Sequence, residues 1–390
     1  MNYPVQVAPT EFDLPRLQRA LAGRARHFRR LRVTGATSGL QALSLEVTRR
    51  CVAHCVMCNI WKTPHTLREL SVDQWLSMLR SPAAADLREL DVTGGEPFLR
   101  DDLDDLLLGA ANPARSGLER LHSIAITTNG FLTKRVLRTI GGVAGPLEDA
   151  GVGLVFACAM DGIGEIHNRI RGYPGGWDRL HTTIEGLCAL RERHPGMVLG
   201  LKMTVHHYNV GQVHAVAAYA ADHGMFTIIS PFIVTPARYG NLDLEADLAF
   251  TPEDIDALRD FYGGPTFRWS YYARELEEYF RTGQMNKVCT AGFNYAFIRS
   301  TGDLYPCPLL EMPLGNVLEQ PLERLLASPA ARRFRRKVGR YPSCQTCTEP
   351  GLERYALPFE GRRYLELSRR LDAGEFRQLH EHLGLDKYLD

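Results

Sequence analysis

The stretch CVAHCVMCNIW, residues 51–61, places Cys51, Cys55 and Cys58 within eight positions. Directly before it runs ALSLEVT (42–48), an apolar segment of strand length. A thiol-rich loop leaving a strand is where the fold is read. The chain has nine cysteines, and seven fall into two groups: these three, then Cys289, Cys307, Cys344 and Cys347. The N-terminal MNYPVQVAPTEFDLPRLQ has no basic stretch followed by an apolar run, and no other stretch reaches membrane-span length. The sequence therefore reads as cytoplasmic, without a membrane partner. In a reducing compartment clustered thiols bind metal or do chemistry rather than form bridges.

Outward from the loop, strand-like runs recur: RELDVT (88–93), LHSIAITT (121–128), VGLVFAC (152–158), MVLGLKMTV (197–205) and MFTIIS (225–230). With ALSLEVT they make six strands. Helical patterns separate them. One opens at Ser71 with Gln74 three residues on, a capping box. Another, WDRLHTTIEGLCALRERH, puts Leu180, Ile184, Leu187 and Cys188 on one face. Strand and helix in alternation predict a parallel sheet, either doubly wound or a barrel, with chemistry at the C-terminal strand ends. The cysteine loop, TGGEP, TTNG and MDG follow strands one to four, so all four motifs fall at that end.

The 390 residues are 45% hydrophobic and 23% charged, ordinary globular usage, and the net charge of +1 calls for no nucleic acid. The Arg-rich runs RARHFRRLR (24–32) and ARRFRRK (331–337) read as solvated helix faces. Neither H-E-x-x-H nor G-x-x-x-x-G-K-[ST] occurs, which leaves metalloprotease and P-loop chemistry without support.

Three cysteines spaced C-x-x-x-C-x-x-C can hold three corners of a [4Fe-4S] cube and leave one iron without a protein ligand. A zinc site, which wants a fourth ligand, is the alternative. Taken with GGEP after the second strand and six β/α units, the spacing resembles the radical S-adenosylmethionine (radical SAM) superfamily over about residues 40–230. The resemblance implies a partial (β/α)6 TIM-like barrel. It implies a [4Fe-4S] cluster on Cys51, Cys55 and Cys58, and S-adenosylmethionine bound by that cluster's open iron. Gly94, Gly95, Glu96 and Pro97 would meet the methionine amino group, with Thr128 and Asn129 facing the cofactor. Met57 stands where the family usually has an aromatic residue against adenine, and its polarizable thioether can make a similar contact. Ala159, Met160, Asp161 and Gly162 stand where the family often reads S-x-D-G, so no serine serves the ribose.

The C-terminal cysteines follow the pattern C-x12-G-x4-C, then LGNV, a helical segment and C-x-x-C. This resembles the twitch form of the SPASM region, a small cap in which Cys289, Cys307, Cys344 and Cys347 would hold one auxiliary [4Fe-4S] cluster. A zinc ribbon is the alternative. The expected organisation is a helical extension (1–40), the barrel (41–240), linker helices (241–284) with Thr251 and Pro252 opening one of them, the cap (285–350) and a helical tail (351–390).

The implied function is reductive cleavage of S-adenosylmethionine to a 5'-deoxyadenosyl radical that abstracts hydrogen, fed by an external one-electron donor such as flavodoxin or ferredoxin. About forty residues precede the first strand, too few for a separate peptide-recognition domain. The expected substrate is accordingly a small polar molecule, such as a sugar, aminocyclitol or nucleoside, dehydrogenated at a carbinol carbon with the auxiliary cluster as electron acceptor. The alternatives are an epimerase using Cys158 as hydrogen donor, a ribosomal-peptide maturase and a non-enzymatic zinc-binding module. Cys158, Asp161 and Arg171 are the catalytic candidates by position, with His167 and Arg169 near them. Cys188 is expected to be a buried small hydrophobe.

Overall fold

The computed structural model describes residues 13–389 apart from positions 65 and 237, so residues 1–12 of the expected N-terminal extension lie outside the described residues. The six expected strands are β1 (Ala42–Thr48), β2 (Glu89–Gly94), β3 (Ser123–Thr128), β4 (Gly153–Ala159), β5 (Met197–Val205) and β6 (Phe226–Pro231). They are parallel and ordered β6-β5-β4-β3-β2-β1. A doubly wound sheet reverses its strand order at a switch point. This one grows in a single direction, as a barrel does, and among the described residues no ladder joins β6 to the far end. The barrel is partial.

Each strand alternates its side chains between helix layer and lumen. In β1, Leu43, Leu45 and Val47 join the helix-packed core, whereas Ser44 and Glu46 point to the lumen and are buried too. The lumen is polar and internally bonded: Ser44 Oγ donates to Asp91 at 2.8 Å and accepts from the Tyr295 hydroxyl at 3.0 Å. The expected capping box of Ser71 with Gln74 is present, and the expected cap Thr251 forms a second box with Asp254, Pro252 occupying the first turn.

The sheet continues beyond β1. β7 (Tyr295–Ile298) pairs with β1 in parallel, and β8 (Asp303–Tyr305) and β9 (Gly315–Asn316) follow antiparallel. The cysteine-bearing C-terminal segment is thus hydrogen-bonded into the barrel sheet, which covers the β1 edge.

At the opposite end, the N-terminal strand mouths are closed by the chain's tail, with helices Glu353–Glu360 and Ala373–Leu383 and a last turn at Leu385–Tyr388. Tail residues Leu357 and Tyr364 share a core with Leu21 of the helix Leu14–Thr34. Glu89, at the start of β2, bonds Arg354, Lys387 and the Tyr388 hydroxyl. Burial pushes Glu89 up, but Arg354 and Lys387 outweigh it and hold the carboxyl at about 2. A cavity of about 890 Å3 lies at this end and touches none of the clustered cysteines. Glu353 lines it with Oε2 buried and unpartnered, and burial pushes its carboxyl up to about 8.

Cys188 is only half-buried, with Arg191 Nη2 at 3.9 Å from its sulfur. Eight residues past Leu180, it has rotated about 80° from that residue, to the edge of the buried stripe.

Candidate cluster and cofactor site

The loop after β1 is clamped at both ends by backbone. His54 N–H donates to Arg171 C=O at 3.0 Å, Val56 N–H to Ile170 C=O at 2.9 Å, and Asn59 N–H to Tyr239 C=O at 2.9 Å. Gly172, with φ +57°, makes the first clamp possible, since a Cβ there would lie 2.4 Å from the His54 carbonyl oxygen. The two glycines of TGGEP serve a similar approach. A Cβ on Gly94 would meet Thr48 O at 2.3 Å, and one on Gly95 would meet Arg50 O at 2.3 Å. Their room is used by the chain's own backbone, which sets the end of β2 against the start of the cysteine loop.

The loop and the strand ends enclose a cavity of about 150 Å3. Cys51, Cys55 and Cys58 face it together with Met57, and so do Gly94, Gly95, Thr128, Asn129 and Arg171. Glu96 and Pro97 do not line it. The Glu96 carboxylate is fully buried and accepts from the Thr128 hydroxyl at 2.8 Å, Asn129 N–H at 2.8 Å and Phe98 N–H at 3.2 Å. Glu96 thereby fixes the TTNG loop, and Asn129 Nδ2 stands 3.9 Å from the Cys51 sulfur. Burial pushes Glu96 up to about 7, against its hydrogen bonds.

Asp161 and Arg171 form a buried ion pair at 2.7 Å. Asp161 also accepts from Thr204 N–H at 2.8 Å, and Arg171 Nη1 lies 3.7 Å from the Cys55 sulfur. The pair delivers a positive charge to the cysteine loop. His167 accepts from Asp161 N–H at 3.2 Å, and burial lowers its pKa to about 3, so it is neutral. Cys158 differs from the other candidates. Its neighbour Ala159 lines the cavity, so Cys158 points the other way, fully buried in the helix-packed core. The alternation of β4 sets it in the core, the usual place of a lone cysteine, and away from the other candidates.

Lys202, Arg238, Tyr239 and Glu349 also line the cavity, and sequence reading missed them. Lys202 carried a signal, being the one charge in the apolar run MVLGLKMTV. Arg238 and Tyr239 had none.

In the C-terminal segment Cys307 is buried, and Cys289, Cys344 and Cys347 are partly so, all four as free thiols. Cys289 feels the charge of Cys347 and Cys344, and Cys307 that of Cys289 and Cys347, so the four stand together. Burial pushes Cys51, Cys58 and Cys289 up to about 12, in Cys289 against a hydrogen bond from the backbone at Ala291. Left without metal these thiols stay protonated, and metal binding must expel the protons. Tetrahedral zinc at about 2.3 Å from each sulfur would bring the sulfurs to about 3.8 Å of one another. Among the described residues the only set of three or more potential ligand atoms within 4.8 Å of one another is His181, Glu185 and His223. Both cysteine sets are spread more widely than that, which suits a cube of irons better than one zinc ion.

Such a site defines an iron-sulfur protein built on a partial barrel. Residues 45–213 match the Radical SAM superfamily and residues 289–348 the SPASM iron-sulfur cluster-binding domain, so this chain is a radical SAM enzyme with a SPASM domain. Its cofactors are S-adenosylmethionine and two [4Fe-4S] clusters. The sporulation killing factor maturation protein SkfB of Bacillus subtilis is 23% identical over 307 residues, 77% of this chain and 68% of SkfB. The AdoMet-dependent heme synthase of Methanosarcina barkeri is 23% identical, covering 74% of this chain and 82% of that protein. A PqqA peptide cyclase of Streptomyces rochei is 26% identical, covering 81% and 82%. Among solved structures, anSMEcpe with bound AdoMet superposes with a TM-score of 0.58 at 17% identity, over 88% of this chain and 99% of that one. Among the described residues no helix is long and apolar enough to cross a membrane.

Proposed function

We propose that this chain matures a peptide, removing hydrogen from one of its residues to form a new bond or an oxidised side chain. The carrying observation is the similarity to SkfB, named for maturation of a killing factor, and to the PqqA peptide cyclase, over 77% and 81% of this chain. The reading replaces the preference for a sugar or aminocyclitol. That preference rested on the short segment before β1, yet the PqqA peptide cyclase is matched over 82% of its own length. The heme synthase keeps a small-molecule substrate as the second reading.

In this proposal Cys51, Cys55 and Cys58 hold one cluster, and Cys289, Cys307, Cys344 and Cys347 the other. When bound, the first cluster and S-adenosylmethionine supply a 5'-deoxyadenosyl radical that takes the hydrogen atom. The chain's own residues do the rest. Gly94 and Gly95 present backbone to the cofactor, Thr128 and Asn129 are held toward it by Glu96, and Arg171 offsets the thiolate charge. Lys202 and Glu349 line the same cavity and offer charges of opposite sign to a polar chain. An external one-electron donor of the flavodoxin or ferredoxin type starts the reaction.

Anaerobic incubation of the reconstituted enzyme with S-adenosylmethionine, a reductant and peptides encoded beside its gene tests this by mass spectrometry. The expected result is a peptide lighter by two hydrogens. An unchanged peptide together with oxidation of a carbinol metabolite would reinstate the small-molecule reading.

A further inference from the structure

On the outer helix layer, away from both cysteine sets, two histidines and a glutamate converge. His181 and Glu185 sit one turn apart on the helix Gly176–Arg193, and His223 directly follows the helix Val213–Asp222. One ligand atom from each lies within 4.8 Å of the others. His223 Nε2 is 3.1 Å from Glu185 Oε1.

The orientation of the two rings carries the argument. His223 Nδ1 is 2.8 Å from the Tyr219 carbonyl oxygen, which can only accept, so Nδ1 donates there and Nε2 is the nitrogen turned to Glu185, with a proton that a metal ion would displace. His181 Nδ1 is 2.7 Å from the hydroxyl of the same Tyr219. With that hydroxyl accepting, its Nε2 is left for a ligand. A single tyrosine thus engages the inner nitrogen of both imidazoles, as the outer-shell partners of metal-binding histidines do. The rings are held further by stacking, Tyr219 on His223 at 4.1 Å and Trp177 on His181 at 6.0 Å. A bare His–Glu pair on the surface gains little from such fixation.

We propose that His181, Glu185 and His223 form a binding site for a divalent transition-metal ion of the zinc class, distinct from the iron-sulfur sites. Two imidazoles and one carboxylate are the donor set of Zn2+ and its neighbours, whereas Mg2+ and Ca2+ want oxygen ligands and iron-sulfur clusters want thiolates. Water completes the coordination. The site ties together two helices that both brace the cofactor end of the barrel. Thr183, on the first helix, donates to Gly130 C=O of the TTNG loop at 2.7 Å. Gln212, beside the start of the second, accepts from Ile163 N–H in the loop after β4 at 3.1 Å. The ion acts as a clamp on that scaffold and has no part in the radical chemistry.

The test is anaerobic calorimetric titration of Zn2+ into the enzyme with both clusters reconstituted, iron content being measured before and after. The wild type is expected to bind one equivalent with micromolar or tighter affinity and to gain thermal stability. Glu185→Gln is expected to bind at least about tenfold more weakly, and H181A/H223A to lose both the binding and the stability gain, with iron content and far-ultraviolet spectrum unchanged. Should H181A/H223A misfold, the single variant His181→Gln carries the same expectation. An identical isotherm in these variants would overturn the proposal, and so would a wild type that binds no Zn2+ below millimolar concentration.

Discussion

Arg171 and Cys55 approach to 3.7 Å, guanidinium nitrogen to sulfur, and the arginine is held there by Asp161. The cation sits where metal binding would turn neutral thiols into thiolates. Arg171→Met should leave the buried Asp161 unpaired and cost about 3 to 5 kcal/mol of stability. It should also lower iron retention at the first site. The double variant D161N/R171M restores much of the stability, because no unpaired charge remains, but not the iron retention. Denaturation and iron analysis of the two proteins separate the effects, and full iron in Arg171→Met would show the cation to be structural only.

Metal content is the most direct check of the site. Three plus four thiolate ligands predict about eight irons per chain after anaerobic reconstitution. Replacing Cys51, Cys55 and Cys58 together by alanine should remove about half. Stoichiometric zinc with little iron would return both cysteine sets to zinc sites.

Gly172 and Gly175 make a controlled pair. Both are in the left-handed helical region, with φ +57° and +69°, but a Cβ at 175 meets nothing within 4 Å, whereas one at 172 meets the His54 carbonyl. Gly175→Ala should cost only backbone strain, about 1 kcal/mol. Gly172→Ala should cost more and displace the cysteine loop, seen as faster loss of the cluster absorbance in air. Equal behaviour of the two variants would mean that the loop tolerates the push.

Much of the site was legible because its logic is local. Cysteine spacing, GGEP and the strand runs are short-range patterns, and β1 and β5 were read to the residue. What escaped depends on distant partners. The four-residue β7 was not recognised, since nothing in YAFI says that it joins a strand some 250 residues earlier. The hold of Glu96 on the TTNG loop is equally hidden in the sequence, since two of its three donors, Thr128 and Asn129, come from more than thirty residues away.

Cys158 supports a further test. Its thiol faces the helix layer, so Cys158→Ala should keep product formation within a few-fold and cost about 1 kcal/mol of stability. C344A/C347A should abolish product. Solvent deuterium entering the product in a Cys158-dependent way would instead identify an epimerase.

Glu353 predicts a pH effect. Burial raises its folded pKa to about 8 from the ordinary 4.5, so its neutral form favours the fold. The stability it contributes is complete below pH 4.5, falls by about 1.4 kcal/mol per unit as pH rises, and is gone above pH 8. Glu353→Gln mimics the neutral acid and should flatten the decline between pH 6 and 8 in chemical denaturation. An unaltered slope would show that Glu353 is ionised in the folded protein.

The pairing of β1 with β7 also dictates how the protein must be made. β1 leaves the ribosome long before β7 exists, since Ala42 and Tyr295 are partners across most of the chain. At about 5 to 20 residues per second the free edge of β1 waits roughly 13 to 50 s for its neighbour. Throughout that interval a nascent chain displays an apolar, unpaired strand of the kind that nucleates aggregation. Expression of this enzyme should therefore respond strongly to growth temperature and chaperone supply, and fragments ending before residue 295 should be insoluble even though they contain the whole six-stranded barrel.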